Sequence, residues 1–211
     1  MNTGLARRLR EGTWALHTTT ERAGIMPALL RGQLPLAGLL RLQRSLLSVY
    51  QALEAGLQQH ATHPLLAPLG LAPLARCAAL QSDVADLAAQ LGAAGASAQP
   101  AAATGYAAHL HALAADQPAL LAAHAYVRYL GDLAGGQALG RIARQAYALP
   151  GDAGTRFFDF GPPDAVQRRS QDLRAALDAL PLDEAGIAAL VAEAQWAFAR
   201  HARLFEELAG A

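Results

Sequence analysis

Residues 129–140 read YLGDLAGGQALG, and four glycines, Gly131, Gly135, Gly136 and Gly140, interrupt a run of leucine and alanine that otherwise reads as helix. Each interior glycine costs roughly 1 kcal/mol against alanine, so something outside the segment must offset the loss. Gly131 and Gly135 are four apart and share a helix face, which bares a strip of backbone with Gly136 beside it. Two kinds of neighbour fit such a strip: a closely packed helix, or a flat ligand. Asp132 places a carboxylate inside the strip, one turn after Arg128. An exposed pair at this spacing adds only about 0.3–0.5 kcal/mol, too little to offset the glycines, so a polar group poised over a ligand accounts for it better.

The surrounding sequence predicts an all-α fold. Of its 211 residues 53% are apolar and only 6% aromatic, with leucine and alanine dominant, a composition of packed helices. The length suits one domain spanning residues 1–211. Net charge is zero, so no electrostatic footprint points to nucleic acid or to an anionic membrane surface. All basic residues are arginine, which fits a GC-rich genome and also fixed carboxylate contacts. The lone cysteine, Cys77, lies among Leu74, Leu80 and Val84 as a small core residue would. With no apolar targeting segment and no membrane-length apolar run, the expected location is the cytoplasm.

Periodicity predicts a first helix over about 4–22, with Leu5, Leu9 and Leu16 bringing His17 beside its apolar face, and a long second helix from Pro35 to about His60. A third follows the Pro64–Pro73 break, stepping through Leu74, Cys77, Leu80, Val84, Leu87 and Leu91. GAAGASAQPAAATG, residues 92–105, reads as a surface loop, and a short helix is expected over about 104–114. Pro118 opens the glycine-containing helix, which runs to about Leu149 and ends in PGDAGTRFFDFGPP. A helix from about Asp164 to before Pro181 and a last one capped by Asp183 complete the chain.

The stretch AHAYVRYLGDLAGGQALGRIARQAYALP, residues 123–150, closely resembles the signature helix of the biliverdin-forming heme oxygenases. LREGTWALHTTTE near the N-terminus, VYQALE from Val49, FFDF from Phe157 and LFEEL from Leu204 extend the resemblance over nearly the whole chain. In that family the distal helix bends at its glycines and lays its backbone against the heme face. The resemblance therefore implies a helical bundle with a glycine-kinked distal helix, and makes Gly131, Gly135 and Gly136 the heme-contacting positions. Ala134 stands where several relatives have serine, a departure that leaves the glycine strip intact.

His17 is the candidate iron ligand, since neutral imidazole is a suitable axial donor. On spacing alone a lone histidine beside a helix core is more often structural, and the resemblance selects the ligand role. Glu21, four residues on, reaches the other ring nitrogen, or is a surface acid. Heme propionates call for donors at the pocket edge. Arg10 lies two turns before His17, and the resemblance adds Arg174, Arg168 and Tyr126, each otherwise a solvated helix-face residue. His60 with His63, and His109 with His111, form no zinc pattern and read as surface or loop residues, while His124 and His201 read as ordinary packing or surface residues within helices.

The resemblance implies oxidative cleavage of heme, at once cofactor and substrate, to biliverdin, carbon monoxide and ferrous iron, using dioxygen and electrons from an external donor such as ferredoxin, flavodoxin or a reductase. Asp132 would hold a water that delivers a proton to the bound oxygen, with Tyr50, Tyr106 and Arg128 extending the hydrogen-bond network. Tyr50 also fits a plain core tyrosine. Biliverdin could serve as chromophore for a bacterial phytochrome. The competing readings are a heme carrier or sensor that keeps His17 without degrading its ligand, and a helical interaction protein whose glycines serve packing alone.

Overall fold

The computed structural model describes residues 4–92 and 99–210, and these form helices and turns with no strand among them. Helix α1 (Leu5–Thr20) buries Leu5, Ala6, Leu9, Thr13 and Thr20. Its first turn is fixed from outside: Asp178 Oδ1 accepts the Ala6 N–H at 2.8 Å, satisfying an amide that a helix start leaves without an internal partner. A short helix α2 (Met26–Leu30), not anticipated from the sequence, precedes the long α3 (Leu36–Gln59). Two 3₁₀ turns absorb the proline-rich break before α4 (Cys77–Leu91). Cys77 is half-buried, with its thiol pKa pushed up chiefly by burial, in keeping with a packing role.

Helix α5 spans Ala101–Asp116, starting three residues before the predicted onset because Pro100 and the alanine run after it already favour helix. Residues 93–98 of the connector read as a surface loop lie outside the described residues. The predicted long glycine-containing helix is segmented. A 3₁₀ turn at Pro118–Leu120 leads into α6 (Leu121–Ala125), a π-helical turn occupies Tyr126–Leu130, and α7 (Gly131–Tyr147) carries the glycines in regular α-helix. The irregular turn thus lies just ahead of the glycines; a π turn inserts one residue and turns the following face by about 100°. Helix α8 (Pro163–Asp178) follows the FFDF segment, and Asp183 caps α9 (Glu184–Ala209) by accepting the Gly186 N–H at 2.8 Å.

Helix α3 packs along α4 and α5, and α1 along α9. The α1–α9 approach is close at Gly12, where an added Cβ would meet Val191 Cγ1 at 2.6 Å, and Gln195 Nε2 donates to the Gly12 carbonyl at 2.8 Å. One apolar core draws on every helix of the described chain, and α1 and α7 meet across a gap that this core does not fill.

Candidate functional site

That gap is a cavity of about 660 Å³, lined on one side by α1 and on another by α7, a size suited to a cofactor-sized ligand. A Cβ built on Gly131 or Gly135 meets nothing within 4 Å, so this part of α7 presents bare backbone to open space. Gly136 and Gly140 differ. A Cβ on Gly136 would lie 3.0 Å from the Phe158 carbonyl oxygen, and one on Gly140 equally close to Phe158 Cβ. Gly136 still borders the cavity, but its missing side chain is accounted for by Phe158. The strip therefore divides: Gly131 and Gly135 border open space, while Gly136 and Gly140 make room for Phe158 rather than for a neighbouring helix.

Phe158 is held in place by Asp83, a fully buried residue of α4, whose Oδ1 and Oδ2 accept the Arg156 and Phe157 amides at 2.9 and 2.8 Å. Burial raises the Asp83 pKa, while those two amides and the Arg156 side chain oppose the rise. Phe157 and Phe158 form part of the cavity wall.

Asp132, 9% exposed, faces the same cavity. Arg128 Nη2 donates to its Oδ1 at 2.7 Å, and the Tyr50 hydroxyl donates to its Oδ2. Arg128 Nε in turn donates to the Tyr50 oxygen at 3.2 Å. Burial raises the Asp132 pKa, and Arg128 and Tyr50 act against that rise. Burial also disfavours the charge of Arg128, but Asp132 and Tyr50 outweigh it and hold the guanidinium protonated. Burial raises the Tyr50 pKa well above its ordinary value, so the phenol remains a donor. Tyr50 is wholly enclosed behind Arg128 and Asp132 and is not part of the cavity wall. Taking two charges out of water is expensive, and a buried pair of this kind is weak evidence for stability. Its place beside the bare backbone points to use.

Tyr106 departs from its predicted role. Its hydroxyl pairs with His124 Nδ1 at 2.8 Å, and His124 Nε2 meets Glu193 Oε1 at 2.9 Å, so it belongs to a second buried network rather than lining the cavity. His109 Nε2 approaches the same Glu193 oxygen at 2.7 Å, and its ring stacks on Trp196 at 3.8 Å. His109 is thus a partly buried helix residue, contrary to the surface or loop reading. His201, read from the sequence as an ordinary packing or surface residue, is 1% exposed and lines the cavity. Its spacing with Ala194, Ala197, Phe198 and Phe205 on the inner face of α9 marks a polar residue in an apolar stripe.

On the opposite wall His17 is partly exposed to the cavity, edge-on to Phe198 and stacked with Trp14 at 6.2 Å. Its Nδ1 is buried without a hydrogen-bond partner and lies 3.7 Å from Glu21 Oε2, longer than a hydrogen bond, which leaves Nε2 for a ligand. Arg10, Tyr126 and Arg174 also line the cavity. Burial raises the Tyr126 pKa, while a hydrogen bond with Thr13 and the charges of Arg174 and Arg10 lower it. Arg168 is not brought to the cavity. It pairs with Asp164 Oδ2 at 2.7 Å, both side chains nearly two-thirds exposed, and is a solvated face residue of α8.

An imidazole with a free ring nitrogen, a side-chain-free helix wall, edge arginines and a buried carboxylate fit heme, and they define a helical heme-binding protein with a polar pocket on one side of its ligand. The comparisons narrow this. The family model described as heme oxygenase matches residues 3–207. A heme oxygenase of Pyropia yezoensis is 37% identical over 97% of this chain and 85% of its own length, and heme oxygenase 1 of Nostoc is 33% identical over 100% and 88%. The crystal structure of heme oxygenase-1 from Synechocystis in complex with heme superposes with a TM-score of 0.88 at 35% identity, covering 99% of this chain and 93% of that one. The chain belongs to the heme oxygenase family.

Proposed function

We infer that the protein cleaves heme oxidatively to biliverdin, carbon monoxide and ferrous iron. Heme would be cofactor and substrate together, supplying both the iron that activates dioxygen and the ring that is opened, with electrons from outside the chain. The observation that carries this reading is Asp132, a buried carboxylate bonded to Arg128 and Tyr50 and set within the open glycine wall. A carrier needs the wall and the axial imidazole but not a buried acid, whose desolvation has to be offset by two dedicated partners.

His17 would ligate the iron through Nε2, with Glu21 orienting the ring from the Nδ1 side. Gly131 and Gly135 would let main chain lie against the porphyrin, with Gly136 at the border. Arg10, Arg174 and Tyr126 would receive the propionates, as guanidinium groups suit carboxylates. Asp132, kept in place by Arg128 and Tyr50, would hold a water that passes a proton toward the oxygen at the iron. Tyr106 would act one layer out, on His124. Electrons would come from a ferredoxin, a flavodoxin or a reductase, and delivery of biliverdin to a bacterial phytochrome is one use of the product. Among the described residues no helix is long and apolar enough to cross a membrane, in keeping with a cytoplasmic enzyme.

The test is incubation of the purified chain with hemin, oxygen, a reducing system and catalase. Expected are loss of the Soret band, biliverdin on chromatography and carbon monoxide; a persistent Soret band without biliverdin leaves the carrier reading in its place. His17→Ala should lose normal axial ligation and partly regain it with exogenous imidazole, and unchanged spectra would remove His17 as ligand. Asp132→Ala should bind heme but divert the oxygen chemistry; a normal biliverdin yield would remove the acid from the mechanism.

A further inference from the structure

His109 forms no ligand pattern with His111, its exposed neighbour on α5, but the fold gives it other partners. His109 on α5, His124 on α6 and Glu193 on α9 bring two imidazole nitrogens and a carboxylate oxygen within 4.8 Å of one another. Both Nε2 atoms address the same oxygen, Glu193 Oε1, at 2.7 and 2.9 Å. None of these residues borders the cavity between α1 and α7. Trp196, about one turn after Glu193, sets both rings: His109 stacks on it at 3.8 Å, and His124 stands edge-on to it at 6.0 Å. The Tyr106 hydroxyl, 2.8 Å from His124 Nδ1, fixes that ring from its other side. Among the described residues Glu193 pairs with the two histidines and with no arginine; Arg200 lies over the Trp196 ring instead. The His124 side chain is sealed, whereas that of His109 is 29% exposed and opens the cluster to solvent.

We propose that His109, His124 and Glu193 form a binding site for a divalent transition-metal ion, zinc foremost, apart from the cavity between α1 and α7. Two imidazoles and one carboxylate are a ligand set that zinc accepts, with a fourth position left for water. The pair of nitrogen ligands disfavours magnesium and calcium, which take oxygen. Zinc bonds of about 2.0–2.1 Å in a tetrahedral array hold ligand atoms about 3.3 Å apart, so the contacts at 2.7 and 2.9 Å need open by only roughly half an ångström. The ion takes the place of two hydrogen-bond protons. Without metal, Tyr106 donates to His124 Nδ1 and Nε2–H donates to Glu193, the assignment that serves both contacts of a neutral ring. Metal at Nε2 moves the ring proton to Nδ1 and reverses the Tyr106 bond, since a phenol oxygen also accepts. Tyr106 then plays the part of the outer partner that orients a metal-bound histidine. Occupied, the site ties α5, α6 and α9 together just ahead of the π-helical turn.

The experiment titrates the full chain, freed of divalent metal, with zinc in competition with a chromophoric chelator. The wild type should bind an equivalent of zinc whose affinity falls about tenfold or more in His109→Phe and in Glu193→Gln, since even removal of an outer partner typically costs that much. Phenylalanine keeps the stacking on Trp196 and glutamine keeps an acceptor for His124, so both variants should retain the far-UV circular dichroism of the wild type. A variant carrying His60→Ala and His63→Ala should bind zinc as the wild type does. No bound equivalent in the wild type, one that keeps its affinity in both ligand variants, or one lost with His60 and His63 overturns the proposal. A second measurement uses the unaltered protein: on adding zinc, imidazole ¹⁵N–¹H correlation spectra should shift the Nε2 resonances of His109 and His124 and convert His124 from the Nε2–H to the Nδ1–H tautomer. Changes confined to the other histidines overturn the proposal, whatever the variants do. Hemin enters neither measurement, so failure here leaves the heme oxygenase reading untouched.

Discussion

Gly131 and Gly140 lie in the same helix and are present for opposite reasons, so alanine at each separates them. At Gly131 an added methyl meets open cavity, and the helix gains the alanine preference of roughly 1 kcal/mol. Gly131→Ala should therefore leave the ligand-free protein as stable as before or more so in urea unfolding, while heme affinity falls in a hemin titration because the methyl stands where the macrocycle would lie. At Gly140 the methyl would crowd Phe158 Cβ at 3.0 Å. There the helix gain is opposed by displacement of an anchored aromatic, and overpacking of this kind typically costs about 1–3 kcal/mol. Gly140→Ala should lower urea stability with no direct effect on heme contacts. If both variants behaved alike, the division of the strip into a ligand half and a packing half would be wrong.

At the scale of elements, the helices with strong apolar periodicity were legible: α1, α3, α4, α8 and α9 fall within a few residues of their predicted places, and Asp183 caps α9 as read. What periodicity could not deliver was the π-helical turn at Tyr126–Leu130, because apolar residues there satisfy an α pattern equally well. Nor could it reveal that FFDF is tied to α4, since the tie runs from Asp83 to backbone amides and leaves no mark on the segment itself. At the site, His17, Asp132, Arg128 and the glycines were visible through local spacing and family resemblance. His201 and Glu193 were not, because their partners lie 73 and 69 residues away along the chain. The Asp83 tie gives its own test. Asp83→Ala leaves two amides without acceptors and frees Phe158 from Gly136 and Gly140. Each lost buried hydrogen bond to a charged group is worth about 1.5–3 kcal/mol, so a loss of at least that size is expected by urea unfolding, together with weaker heme binding.

Among the described residues, two buried polar networks contain imidazoles that burial keeps neutral: His201 beside Arg128, and His124 between Tyr106 and Glu193. Each has a folded-state pKa below its ordinary 6.5. In the unfolded chain these rings take up protons as pH falls below that value, whereas in the folded chain they do not, so acidification favours unfolding. Glu193 acts in the same sense. Although partial burial works the other way, hydrogen bonds from His124 and His109 hold its pKa down, so its contribution is present above its ordinary 4.5 and is lost as pH falls through the folded value. Asp132 and Asp83 oppose this trend, because burial raises both and the folded protein then takes up their protons first. Since the sum mixes signs, the decisive quantity is a difference between two proteins. His201→Asn removes one buried imidazole, so the stability of the wild type relative to this variant should be constant above pH 7.5. It should fall by roughly 1 kcal/mol by pH 5.5, one unit below the unfolded value, as urea unfolding of the ligand-free proteins at the two pH values would measure. A difference that does not change with pH would mean that His201 is protonated in the folded protein as readily as in the unfolded chain, and Arg128 would then be facing a cation where the geometry requires an acceptor.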